Sequence, residues 1–484
     1  MKNVIALFCC LLVLFPGAHS QAQTPATKTV RPNIIFILAD DLGYGDVGFN
    51  GQKFIRTPNI DRLAREGMIF NQFYAGTSVC APSRSSLLTG QHTGHTYIRG
   101  NKSVLPEGQQ PIADSVLTVA EILQKAGYVT GAFGKWGLGP VGSEGDPNKQ
   151  GFNQFYGYNC QSLAHRYYPD HLWDNAKKVV LEANKDLLYN KEYAPDLIQK
   201  KALDFMDTRD GKQPFFLFLP YILPHAELIV PDDSIFQSYK GKFEEKFYRG
   251  ADYGSNAKSG GYTSQEFPRA TLAAMVTRLD LYVGQVLDKL KEKGLDKNTL
   301  VIFTSDNGPH VEGGADPKFF RSSGGFRGVK RDLYEGGVRE PFAARWPGVI
   351  KPGSKSDFIG AFWDILPTFT ELAQAQTPRN IDGISFTDAL KGKPTQKKHD
   401  YLYWEFHEQG GRQAVRQGNW KAIRLKAAGN PDALVELYDL SKDPGETTNL
   451  TPQFPEKAKE LGQIMNKAHV SSALFPFGSL VTNE

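Results

Sequence analysis

Cysteine is scarce in this chain: four in 484 residues, two of which, Cys9 and Cys10, sit in an apolar run near the amino terminus. That excludes a small scaffold stapled by disulfides. Long basic runs are absent too. Lys and Arg total 56 against 52 Asp and Glu, a formal net charge of +4, and no cluster is long enough to argue for nucleic acid. Past Phe15 no apolar stretch reaches the length of a bilayer span. Internal repeats and low-complexity tracts are also missing, which sets aside repeat arrays.

What is present points to a folded, exported protein. A hydrophobic content of 40% is ample for a core, and 484 residues exceed one ordinary domain, so one large and one small domain are expected. Met1-Lys2-Asn3 followed by the apolar run Val4 to Phe15 reads as a signal peptide over residues 1–20. Ala18-His19-Ser20 precedes the expected cut, and cleavage after Ala22 is the alternative. A lipid anchor at Cys9 or Cys10 is disfavoured because little apolar sequence precedes them. The expected location is the periplasm or outside the cell, with no membrane span. Loss of Lys2 leaves 55 − 52 = +3. Cys80 and Cys160 remain, and no bridge is expected between them. Gln21 to Val30 is a polar lead-in.

From Pro32 the pattern alternates. Ile34 to Ala39 is an unbroken apolar run, the mark of a strand buried on both faces in a parallel sheet. It ends at Asp40 and Asp41. Thr57 to Gly67 reads as a capped helix, Met68 to Tyr74 as a strand, and Leu117 to Ala126 as a helix. The strand Tyr128 to Phe133 runs into Lys135, and Phe215 to Leu219 runs toward His225. A long helix from Pro268 to Lys293 leads to a strand from Thr299, which ends at Asp306 and Asn307. The expected fold is α/β: a large, mostly parallel sheet flanked by helices over residues 31–375. Residues 376–484 are expected to form a smaller α+β domain. Its antiparallel strands fall at 401–406, 413–416, 420–425 and 435–440, with a closing helix from Pro455 to His469. Residues 158–193 and 231–261 read as irregular segments over the site.

In such sheets ligands bind beyond the carboxyl ends of the strands. Four strand ends here carry Asp40 with Asp41, Lys135, His225, and Asp306 with Asn307. The acidic set offers hard oxygen donors and no thiol, which favours Ca2+ or Mg2+ over zinc. Cys80 lies in Ser78-Val79-Cys80-Ala81-Pro82-Ser83-Arg84, with Gly90 closing the segment. Pro82 is expected as the first helical residue, which places Cys80 just before the positive end of a short helix. Arg84 follows one turn later.

The pattern C-x-P-S-R resembles the signature of the type I, formylglycine-dependent sulfatases of the alkaline phosphatase superfamily, and the resemblance extends from about Arg31 to Asn449. It implies an alkaline-phosphatase-like fold. It also implies that a formylglycine-generating enzyme converts Cys80 to Cα-formylglycine, whose hydrate attacks sulfur and then collapses to expel sulfate. The matching positions imply one Ca2+ on Asp40, Asp41, Asp306 and Asn307, and catalytic roles for Arg84, Lys135, His225 and Lys330. Lys330 comes from the stretch Phe326 to Gly337, and His225 matches the acid for the leaving group. One departure stands out: where the family often has Gly-Lys-Trp-His-Leu-Gly, this chain has Gly137 in place of the histidine. His310 and His165 are the candidate substitutes. His95, Arg99, His165, His310 and His407, with Glu408 and Arg412, are candidate substrate contacts. The implied activity is hydrolysis of sulfate esters on a carbohydrate, with 4-sulfated galactose or N-acetylgalactosamine favoured. A phosphoester or phosphonate hydrolase, and a non-catalytic sulfated-glycan-binding protein, are the alternatives.

Overall fold

The computed structural model describes residues 31–105, 107–188, 190–253 and 261–478. The expected signal peptide and its cleavage site lie outside the described residues. The first strand, β1 (Asn33–Ala39), is buried at all seven positions, as its apolar run requires. Its side chains alternate between two cores, the two-residue period of a strand. Ile35, Ile37 and Ala39 face one core, shared with the helix Pro268–Glu292. Ile34, Phe36 and Leu38 face the other, with the helices Val119–Lys125 and Ile365–Leu372. Each buried Ile, Leu or Phe among them contributes roughly 1.5–3 kcal/mol.

The strands that follow are β2 (Met68–Tyr74), the short hairpin β3 (Ser103–Val104) and β4 (Gly108–Gln109), β5 (Val129–Lys135), β6 (Gln154–Tyr158), β7 (His171–Asp174), β8 (Lys177–Val180), β9 (Phe215–Pro220), β10 (Thr299–Ser305), β11 (Ala343–Arg345) and β12 (Ser354–Ala361). Apart from the hairpin they form one sheet in the order β12-β2-β11-β10-β1-β9-β5-β6-β7-β8. The centre, β10-β1-β9-β5-β6, is parallel throughout. Only β11 and β7 run against the other strands. The carboxyl ends are nearly level: Ala39 pairs with Ser305, and Leu38 with Pro220.

A second sheet is an antiparallel meander of β13 (Leu402–Phe406), β14 (Arg412–Gln417), β15 (Trp420–Leu425) and β16 (Val435–Asp439). The helix Pro455–Ala468 covers one face through Leu461 and Met465. The other face, with Trp404 and Ile423, packs against Tyr74, Val79 and Val338. It therefore abuts the segment that leads into Cys80.

Two expectations are corrected. The helix begins at Cys80 itself and runs to Thr89, so Pro82 is its third residue and Cys80 lies within the first turn. A proline can sit anywhere in that turn because the N–H it lacks would have no helical partner. Gly90 ends the helix in the left-handed region, φ 71°, its N–H bonded to Ser86 O. The stretch 158–193 is also more regular than its composition implies. It holds β7 and β8, which extend the large sheet, although four-residue strands are too short to show a period.

Candidate active site

The strand-end residues converge. Asp40 accepts from Lys135 Nζ at 2.7 Å and from Arg84 Nη2 at 3.2 Å on one oxygen, and from Cys80 Sγ at 3.2 Å on the other. Asp41 would point to the opposite sheet face if the strand continued. Instead its φ of 64° breaks the alternation and brings both carboxylates to one side, a conformation aspartate tolerates better than most residues. Asp41 accepts from Asn307 Nδ2 at 2.7 Å and from Lys330 Nζ at 2.9 Å. Its own N–H donates to Asp306. Lys330 Nζ also lies 3.1 Å from His225 Nε2. All of these side chains are buried.

Arg84 is spent entirely within this ring. Its Nε and Nη2 donate to Asp306 at 3.0 and 2.8 Å, and Nη1 donates to Lys135 O. With no exposed surface, its charge balances Asp40 and Asp306 rather than a substrate oxygen. Ser83 Oγ donates to Asp306 O at 2.6 Å and fixes the helix against that strand end.

Three buried carboxylates, Asp40, Asp41 and Asp306, face three buried cations, Arg84, Lys135 and Lys330. Burial opposes ionisation of Asp40, but Lys135, His225, Arg84 and Lys330 outweigh it and hold the group well below the carboxylate range. Burial and the charge on Asp40 push Asp306 up to about 7, against the pull of Arg84. Asp41 is raised by burial, with Asp40 adding to the shift. Three carboxylates thus crowd one buried point, and burial keeps two of them raised. Ligand atoms of Asp40, Asp41, Cys80 and His225 all lie within 4.8 Å of one another. Asn307 Oδ1 is buried and, among the described residues, has no hydrogen-bond partner. An unpartnered amide oxygen beside Asp40 and Asp41 is what a hard divalent cation would satisfy, so these three residues of the expected set suit an ion, while the Asp306 carboxylate is also engaged by Arg84 and the Asp41 N–H.

Burial, then the charge on Asp40, pushes the Cys80 thiol well above its ordinary pKa. The site thus suppresses a thiolate and aims the S–H at a carboxylate. His225 is driven the other way. Burial, then Lys330, lowers it well below the usual histidine value. Its Nδ1–H donates to Ala226 O, which leaves the Nε2 lone pair toward Lys330. Burial, with Lys330 beside it, thus disfavours the imidazolium expected from sequence.

The candidate substrate contacts divide. His165 stacks on His225, centroids 4.9 Å apart and planes 8° apart, so it reaches the centre. His310 lies 6.0 Å from His225 and is tied to Pro224 O at 3.1 Å and to Glu312 at 3.4 Å. Arg412 donates to Arg331 O and Asp332, bracing the loop that carries Lys330. The remaining four lie in other parts of the fold. His95 pairs with Asp382 at 2.9 Å, Arg99 donates to the carbonyls of Val470 and Thr96, and buried His407 meets Glu405 at 2.7 Å. Glu408 lies in the turn that follows β13, its backbone O accepting from Gly411 N.

Sequence reasoning missed Gln161. A Cβ built on Gly137 would lie 3.3 Å from Gln161 Nε2, a buried atom with no hydrogen-bond partner among the described residues. An amide thus borders the space a histidine at 137 would enter. The only sequence signal was the glycine itself.

Beside His95, His92 stacks on the same ring at 4.2 Å and is buried. Burial lowers its pKa to about 4, against the pull of Asp382. A histidine depressed in the folded state is protonated first in the unfolded chain. Its contribution at pH 7 is therefore lost as pH falls from about 6.5 toward 4, by at most about 3 kcal/mol. Urea melts across that window are expected to fall less steeply in His92→Gln than in the parent. Parallel curves would assign the acid sensitivity elsewhere.

Residues 32–375 match the family model described as Sulfatase, and residues 326–471 match N-sulphoglucosamine sulphohydrolase, C-terminal. Arylsulfatase A of Homo sapiens is 33% identical, covering 92% of this chain and 89% of that protein. N-acetylgalactosamine-6-O-sulfatase of Bacteroides thetaiotaomicron is 30% identical, covering 96% and 99%. Among solved structures, Ps i-CgsB in complex with k-i-k-neocarrahexaose superposes with a TM-score of 0.74 at 27% identity, covering 91% of this chain and 94% of that one.

Proposed function

Since this chain belongs to the sulfatase family, we propose that it cleaves sulfate from a sulfated carbohydrate with a Cα-formylglycine hydrate at position 80 and one Ca2+ on Asp40, Asp41, Asp306 and Asn307. It is a sulfuric ester hydrolase; the modification, the ion and export to the periplasm or beyond are the finer parts of the proposal. A formylglycine-generating enzyme is the maturation partner this requires. The observation that carries the reading is the contact of Cys80 Sγ with Asp40 inside a buried ring of opposed charges.

The bound ion would supply positive charge to the sulfate oxygens, and the hydrated aldehyde a hydroxyl nucleophile with a second hydroxyl for release. The rest falls to this chain's side chains. Asp40 accepts a hydrogen bond from the group at position 80 and orients it, as it accepts one from the Cys80 S–H now. Lys135 and Lys330 flank that point with fixed ammonium groups in a dry environment, where charge acts far more strongly than in water. The Lys330–His225 pair holds a proton at Nζ and an open lone pair at Nε2. It is placed to pass a proton to the leaving oxygen once an anionic ester adds negative charge beside it.

The names of the relatives support a galactosamine- or galactose-type saccharide. Sulfate release from 4-sulfated and 6-sulfated N-acetylgalactosamine and galactose is the direct test. Binding without release by protein whose Cys80 peptide carries the aldehyde mass would sink the enzyme reading. Chelation is expected to cost at least about a hundredfold in rate, restored by Ca2+. It should also lower the melting temperature, since an ion bound at a hundred times its Kd adds about 2.7 kcal/mol. Unchanged melting and rate would remove the metal from the proposal.

A further inference from the structure

A cavity of about 600 Å3 opens away from the Cys80 centre. Lys355 to Ile359 of β12 wall one side, and Tyr401 with Leu402 at the start of β13 wall the other. Each is the outermost strand of its sheet, and such an edge leaves backbone N–H and C=O groups unpaired. β12 lies four strands from β1, roughly 19 Å at the usual strand spacing. None of the active-site residues lines the cavity.

Its lining has two characters. Phe358 and Leu402 are buried and form an apolar floor, with the half-buried ring of Tyr401 beside them. The rim is basic. Lys355, Lys393 and Lys398 stand exposed around it, against the carboxylate of Asp357. Asp357 already accepts from Asn71 at 2.8 Å, and Lys393 lies 3.4 Å from Asp388. Among the described residues neither Lys355 nor Lys398 has a carboxylate within 4.0 Å.

We propose that this cleft between the two sheets binds a second stretch of a sulfated polysaccharide, so that the enzyme holds a polymer at a point remote from the bond it cuts. The inference rests on the sulfated-carbohydrate reading for the identity of the ligand. The apolar floor and Tyr401 suit the faces of sugar rings. The open strand edges suit hydroxyl groups, and the unpaired ammonium groups suit sulfates. A polymer spanning both places must be several sugars long, so a small sulfate ester would not sense the cleft.

The test compares the parent with Lys355→Glu/Lys398→Glu and with Tyr401→Ala. Calorimetry measures binding of chondroitin sulfate, of carrageenan, of their desulfated forms and of polyphosphate. Turnover of a small aryl sulfate is followed in parallel. The charge-reversed variant is expected to bind the preferred sulfated polymer about tenfold more weakly, a loss of about 1.4 kcal/mol. Tyr401→Ala should weaken it several-fold, and aryl sulfate turnover should stay within twofold of the parent. The cleft proposal fails if neither polymer binds, if affinity is unchanged in the variants, or if desulfated chains or polyphosphate bind as tightly. It also fails if aryl sulfate turnover falls in step with binding. Weakened polymer binding in a protein that releases no sulfate would support the cleft and sink the enzymatic reading instead.

Discussion

Cys80→Ala is expected to reduce sulfate release by at least about 10^4-fold while leaving the fold intact, since loss of a nucleophile costs on that scale. Alanine is the best helix former, and Cys80 occupies the first turn of its helix. The substitution removes one weak hydrogen bond, from the Cys80 S–H to Asp40 at 3.2 Å. Asp40 keeps Lys135 and Arg84, so no buried charge is stranded. Stability should change by no more than about 1 kcal/mol. Melting curves and phosphate-free aryl sulfate assays on one preparation separate the two effects. If the variant retains even a hundredth of the parent's rate, the nucleophile lies elsewhere.

Lys421→Met is expected to act in the opposite way, with a large loss of stability, and on chemistry only through the segment that carries Lys330. Lys421 Nζ lies 2.9 Å from Glu335 and 3.0 Å from Glu446, and all three side chains have no exposed surface. Burial works against the charge on Glu335, yet Lys421 and two arginines hold it down at about 2. Burial pushes Glu446 up to about 7, opposed by the same lysine. Removing the cation leaves two buried acids facing each other, which costs about 3–5 kcal/mol. Chemical denaturation reads that loss directly. Adding Glu335→Gln to Lys421→Met should return part of it. A single-variant loss below about 1 kcal/mol would mean that water enters and solvates the acids.

The parts of the site legible in sequence are those that the sheet dictates. An apolar run that stops at two aspartates locates a strand end, and level strand ends locate the rim. What could not be read is which charge faces which. Arg84 looked available to an anion, but the folded chain places two carboxylates around its guanidinium. His225 looked like an imidazolium, but burial and a lysine 105 residues away that lies against its Nε2 disfavour that charge. Such outcomes depend on long-range packing, and local pattern carries no trace of it. The short hairpin β7–β8 escaped for a different reason: Lys177 to Val180 offers too few residues for a period to show.

The smaller sheet is more than a neighbour of the catalytic half. Arg412 from β14 grips the backbone at Arg331, and Lys421 from β15 anchors Glu335. Between them these two clamp the segment that delivers Lys330 to Asp41. A fragment cut at residue 375 would keep Cys80 and the four residues proposed to hold the ion, yet Lys330 would sit on a segment without these tethers. Dividing this chain where its composition changes would yield half a pocket rather than a minimal enzyme.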